Sequence, residues 1–130
     1  MRKTFLVSAM LTGLAGLSAS PAIAEGDPAN GQRVFAQCRA CHSLTDGQNR
    51  VGPHLAGLFG REAGAVEGYA YSAALKNSGV VWDDESLDSH LAQPKDFIPG
   101  NKMGLVFPRG VQNAQDREDL IAYLRQATGQ

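Results

Sequence analysis

Apolar positions recur three and four residues apart in four stretches of this 130-residue chain, and no stretch alternates in the manner of a strand. The first stretch opens at Asp27-Pro28. An acidic side chain there can cap free backbone N–H groups, and proline suits a first helical position because it has no N–H to leave unpaired. Its inward stripe is Gly31, Val34, Phe35 and Cys38. A short second helix is expected over Tyr71–Asn77, stopped by Ser78-Gly79. A third begins at Asp83-Asp84-Glu85, where negative charge favours the positive end of the helix dipole, and runs to about Ala92 before Pro94. Leu87, His90 and Leu91 share its inner face. The last, Ala114–Ala127, sets Leu120, Ile121, Tyr123 and Leu124 on one side and Arg117, Glu118, Arg125 and Gln126 on the other. Between helices, the Gly/Pro/Asn-rich run from Asp46 to Gly68 is too irregular for a regular element, and loops of that length in a small domain usually wrap something. The pattern is all-α with long loops.

The segment ahead of the first helix reads differently. Arg2 and Lys3 precede an apolar run from Phe5 to Leu17, which ends in Ala22-Ile23-Ala24 before Glu25. Charge, a short apolar stretch and small residues two positions apart make a secretory signal peptide over residues 1–24, cleaved after Ala24. An uncleaved anchor is the alternative, although a spanning helix needs roughly 20 apolar residues. Residues 25–130 then form one domain with a modest core, which a bound cofactor would reinforce. The full chain has a net charge of −1, and losing Arg2 and Lys3 takes the remainder to −3. Nucleic acid is not an expected partner, because that calls for clustered basic residues.

Both cysteines, Cys38 and Cys41, lie in one short segment. In an oxidising compartment such a pair first suggests a disulfide, and a thioredoxin-like site uses C-x-x-C as well, but on a βαβ framework that this pattern lacks. His42 changes the reading, since Cys38-x-x-Cys41-His42 is the attachment motif for haem c. One helical turn brings both thiols to the vinyl groups of one porphyrin, and the adjoining imidazole falls over the iron. A haem that transfers electrons prefers both axial positions filled. Past the leader a single methionine remains, Met103, in Phe97-Ile98-Pro99-Gly100-Asn101-Lys102-Met103, where proline and glycine favour a tight loop that presents the sulfur. Core filling is the alternative for Met103. His54 and His90 are the competing ligands, with hydrogen-bonded structural roles as their alternative.

Several motifs point to one family. They are Cys38-x-x-Cys41-His42, the run from Gly52 to Arg61, Tyr71-Ser72, Trp82, the run from Ile98 to Met103, and the run from Arg117 to Leu124. From Gly31 to Leu124 the chain thereby resembles the class I cytochromes c, which include the mitochondrial protein and bacterial cytochrome c2. The resemblance implies a single-domain all-α fold, with N- and C-terminal helices packed together and loops wrapping one covalent haem and its iron. It implies His42 and Met103 as axial ligands, and the Pro53 carbonyl as acceptor for the proximal imidazole. Tyr71 and Trp82 match donors to a buried propionate, Arg61 matches the group that offsets its charge, and Asn101 is a further cofactor-binding position. Gly31 and Phe35 match the places where the first helix meets the last, through Leu120 and Tyr123.

Some positions depart from the family. A tyrosine usually stands at His90, with its hydroxyl near the methionine sulfur. A histidine there can titrate near neutral pH and couple the haem potential to pH, or it can be a neutral core residue. An aromatic residue usually lies two positions past the methionine, where this chain has Leu105, with Phe107 two further on. The stretch from Gly104 to Asp116 is about three residues longer than in the mitochondrial type. The basic docking rim is thin, with Lys95 and Lys102 matching and Lys76 and Arg39 contributing.

The expected function is one-electron, outer-sphere transfer by a soluble periplasmic monomer, not an enzyme and without a small-molecule substrate. The expected partners are redox proteins, with a membrane cytochrome complex or a dehydrogenase as donor and a terminal oxidase or reaction centre as acceptor. A peroxidase or haem-based sensor would need Met103 to be no stable ligand, and a subunit of a periplasmic dehydrogenase would need a persistent apolar interface.

Overall fold

The computed structural model describes residues 13, 15, 16 and 26–129, so the leader read over 1–24 falls almost wholly outside the described residues, as does its cleavage point after Ala24. Among the described residues six helices form: α1 (Pro28–Phe35), α2 (Ala73–Lys76), α3 (Asp84–Ala92), α4 (Pro94–Phe97), α5 (Met103–Val106) and α6 (Ala114–Ala127). Four stand where helical spacing placed them. Asp27 caps α1 by accepting from the Ala29 N–H, and Asn113 caps α6 by accepting from that of Asp116. At α3, Asp83 and Ser86 each accept the other's backbone N–H, a reciprocal cap. Helix α2 is shorter than Tyr71–Asn77, because the Ser72 hydroxyl accepts from Leu75 N at 3.1 Å and starts the helix after Tyr71.

Helices α4 and α5 went unseen because each is a single turn, too short to show a period, and neither has a side-chain cap like that of Ser72 at α2. Met103, expected on a loop, is the first residue of α5. Buried Asn101 accounts for this. Its amide donates to the carbonyls of Pro94 and Ile98, while its carbonyl oxygen accepts from Gly104 N at 2.9 Å. One side chain thus ties the ends of α4 to the first turn of α5. Among the described residues, the one sheet-like feature is an antiparallel bridge between Glu62 and Val81. Flanking bonds from Trp82 N to Arg61 O at 3.0 Å and from Gly60 N to Trp82 O at 2.8 Å hold Arg61 and Trp82 side by side.

Helix α1 crosses α6 at near backbone contact. A Cβ at Gly31 would overlap the Asp119 carbonyl oxygen and come within 2.7 Å of Tyr123 Cβ, so this crossing admits only glycine. Just beyond it the rings of Phe35 and Tyr123 pack with centroids 5.5 Å apart. Phe35 and Leu120 are the most deeply buried large apolar side chains, and truncating Phe35 to alanine costs about 3–5 kcal/mol. Helix α3 is held to α6 by two ion pairs, Asp88–Arg117 at 2.7 Å and Asp84–Arg125 at 2.8 Å.

The two-sided reading of α6 missed Asp119, which is buried at the crossing with 3% of its surface exposed. Its carboxylate accepts from Asp27 N at 2.7 Å, from Asn30 Nδ2 at 2.7 Å and from Gln115 Nε2 at 2.9 Å. These bonds, the Asp27 N–H first, hold its pKa below the ordinary carboxyl value of 3.8. The charged form is the one the fold favours, so its contribution is complete above the unfolded pKa and fades as pH falls through the lower folded one. Asp119→Asn should therefore lower the thermal midpoint at pH 7 and flatten its fall below pH 4. A midpoint deficit that stays constant down to pH 2 in calorimetry would contradict this role.

Candidate cofactor site

Past Phe35 the chain leaves the α-helix but keeps turning. Cys41 N donates to Cys38 O at 3.1 Å and His42 N to the same carbonyl at 2.9 Å. That single turn places both cysteines and His42 on the wall of one cavity of about 500 Å³. The two cysteines do not form a disulfide with each other. Burial, then the neighbouring Cys41, pushes the pKa of an unattached Cys38 thiol up to about 11.

His42 is fixed from behind. Its Nδ1 donates to the Pro53 carbonyl at 2.7 Å, which sets the tautomer and leaves Nε2 with a free lone pair. Burial pulls its pKa below the usual histidine value, opposed by the Pro53 bond and aided by the Arg61 charge. Gly52, to which the sequence reading assigned no role, makes room for the ring: a Cβ there would lie 2.5 Å from His42 Cε1 and 2.8 Å from Nδ1. Its signal was the Gly-Pro pair at the start of a quoted motif.

Opposing elements complete the wall. Met103 reaches it from α5, His90 and Leu91 from α3, and Leu120 and Leu124 from α6. His90 is 7% exposed, its ring centroid 5.1 Å from that of Trp82 and 6.0 Å from that of Phe97. Burial, then His42, pushes its pKa down to about 4, which favours the neutral core histidine of the two readings. His54 does not line the cavity. It is buried beside Pro53 with Nε2 3.5 Å from Asp46 Oδ1, which removes it from the candidate ligands.

Arg61, Tyr71, Trp82 and Asn101 all line the cavity as well. The Arg61 guanidinium donates to the carbonyls of Ala56 at 2.9 Å and His54 at 3.1 Å, and burial lowers its pKa. The Tyr71 hydroxyl accepts from Val66 N at 3.2 Å, so its own proton is left to donate, and burial raises its pKa. Asn101 spends its amide and carbonyl on backbone groups, so it braces the turn that carries Met103. The sequence reading missed Tyr69. Its hydroxyl donates to Val51 O at 2.7 Å, its ring stands edge-on to Tyr71, and Lys102 Nζ sits 5.5 Å above it while donating to the Ala70 carbonyl. Tyr69 thus joins the segment behind His42 to the residue before Met103. Nothing in periodicity or spacing marks such a tie. At the position where the family has an aromatic residue, Leu105 is 80% exposed, and half-buried Phe107 supplies the apolar wall instead.

Two thiols one turn apart, an imidazole with a free nitrogen, a thioether from a separate element and a largely apolar cavity fit a covalent haem with two axial ligands. Comparison with known proteins agrees. The family model "Cytochrome c" matches residues 28–128. Cytochrome c2 of Blastochloris viridis is 50% identical over 110 residues, 84% of each chain, and cytochrome c of Theileria annulata is 48% identical over 82% of this chain and 90% of its own. The structure of cytochrome cH from Methylobacterium extorquens superposes with a TM-score of 0.71 at 47% identity, covering 78% of this chain and 99% of that one. The site is that of a class I cytochrome c. This chain belongs to the cytochrome c family, a family of electron carriers with covalent haem c and its iron, and Cys38 and Cys41 stand in the attachment motif.

The Gly52 contact gives a direct test. Gly52→Ala should displace the His42 ring from the Pro53 carbonyl, cost about 1–3 kcal/mol in denaturant unfolding of the haem protein, and perturb its optical spectrum. Wild-type stability and spectrum together would show that the ring has room to spare.

Proposed function

We propose that the protein is a soluble, monomeric carrier that moves single electrons between redox proteins in a bacterial-type periplasm, reached through a leader cleaved after Ala24. Its donor is a membrane cytochrome complex or a dehydrogenase, and its acceptor a terminal oxidase or reaction centre. The observation that carries this reading is the convergence of Cys38, Cys41, His42 and Met103 on one largely apolar cavity. When bound, haem iron supplies the one-electron chemistry by alternating between its ferric and ferrous states.

The residues have separable tasks. Cys38 and Cys41 hold the group covalently, which prevents its loss outside the cell. His42, oriented by Pro53, and Met103, positioned by Asn101, would hold the iron, and a thioether paired with an imidazole would favour its reduced state. Tyr71 and Trp82 would donate to a buried propionate, and the Arg61 charge would offset it. Two protein ligands on the iron would leave oxygen or peroxide no open position, so the reading is a carrier and not an enzyme.

The surface suits brief encounters. Leu105 and Val106 from α5 and Val51 from the opposite side line the cavity mouth while 80%, 66% and 66% exposed. Lys102 stands at the mouth, and Lys95 packs its Cα against Gly104 of α5. A small apolar rim with a few positive charges favours short-lived docking on an acidic partner.

Two measurements test this reading. The near-infrared spectrum of the oxidised protein should hold a sulfur-to-iron charge-transfer band that Met103→Ala abolishes, with a fall in midpoint potential; a parent without that band would overturn the Met103 assignment. Leu105→Ser should leave the spectrum unchanged yet slow second-order electron exchange with a redox protein roughly twofold to fivefold in stopped flow. An unchanged rate would move the docking face elsewhere.

A further inference from the structure

Building on the assignment of His42 and Met103 as axial ligands, we infer that His90 is a reserve ligand, an imidazole placed to take the distal position whenever the Met103 thioether leaves the iron.

Three observations carry this. Among the described residues, His90 is the one histidine besides His42 on the cavity wall. It is more than nine-tenths buried, and its Nδ1 has no hydrogen-bond partner, an arrangement that packing alone does not call for, since a leucine or phenylalanine would fill the space at no polar cost. Whichever ring nitrogen carries the proton, the other keeps a lone pair. Neutral imidazole is the form that binds a metal.

The supports of the two side chains differ as well. His90 stands on the last turn of α3, a helix with a reciprocal cap and two ion pairs to α6, and its ring lies between Trp82 and Phe97. Met103 stands on a single turn of helix whose next residues, Leu105 and Val106, are exposed. One turn has little cohesion of its own and opens locally at lower cost than a capped, packed helix. When the protein opens on this side, Met103 departs first and His90 stays in place.

The test compares the haem proteins of the parent, Met103→Ala, His90→Phe and the double variant by near-infrared and electron paramagnetic resonance spectra. Met103→Ala should remain low-spin with the signature of two imidazoles, and the double variant should turn high-spin. Added imidazole should bind the double variant about tenfold or more tighter than Met103→Ala, because no internal ring competes. His90→Phe alone should keep the sulfur band, which shows that the substitution folds. A high-spin Met103→Ala, or equal imidazole affinity in the two variants, overturns the reserve role while leaving the Met103 assignment intact. A parent that lacks the sulfur band overturns that assignment, and if its low-spin spectrum also vanishes in His90→Phe, the reserve role falls with it, because His90 would be the resident ligand.

Discussion

Where α1 meets α6, nothing larger than a hydrogen fits on Gly31, because the Asp119 carbonyl occupies the space a Cβ would need. The rest of the molecule depends on that approach. It brings Phe35 onto Tyr123 and Leu120, and the chain leaves α1 directly into the turn that carries Cys38, Cys41 and His42. The attachment turn is therefore positioned by a helix crossing close by in sequence, not by a long mobile loop. The buried Asp119 carboxylate locks the same crossing by accepting from the first residues of α1 and from Gln115 of α6, so packing and hydrogen bonding act at one point.

The walls of the cavity are built by a different rule. None of the segments from 46 to 72 and 98 to 113 makes enough regular structure to hold itself, apart from the single turn of α5. Each is tied instead by side chains acting on backbone: Arg61 on the Ala56 and His54 carbonyls, Asn101 on both sides of the Met103 turn, Tyr69 on Val51, and Arg117 on Val111 and Gln112. Such bonds satisfy backbone groups that a helix would satisfy internally. They also make the two axial candidates unequal in support, since His42 is braced by Pro53 and Gly52 whereas Met103 depends on one turn and one asparagine.

The exposed part of the design is small. Leu105, Val106 and Val51 leave the mouth of the cavity apolar, and the acidic balance of the chain keeps long-range attraction to acidic partners modest. A carrier that must release each partner quickly gains from that, because a limited apolar contact with few ion pairs leaves dissociation fast.

The sequence by itself determined the positions of α1, α3 and α6, the approximate place of α2 and the attachment motif. Those features rest on local rules: a helical period, a cap such as Asp27 or Asp83, and a motif whose members lie within one turn. What only the tertiary structure decided was how distant segments meet. That Gly52 must be bare depends on a ring ten residues away, and that Asp119 is buried depends on α1. Asn101 braces a turn because α4 and α5 converge on it. His90 is neutral and unpartnered because Trp82 and Phe97 enclose it, and His54 is excluded because its loop carries it away from the cavity. Burial and mutual orientation are properties of the packed chain, and no period or spacing records them.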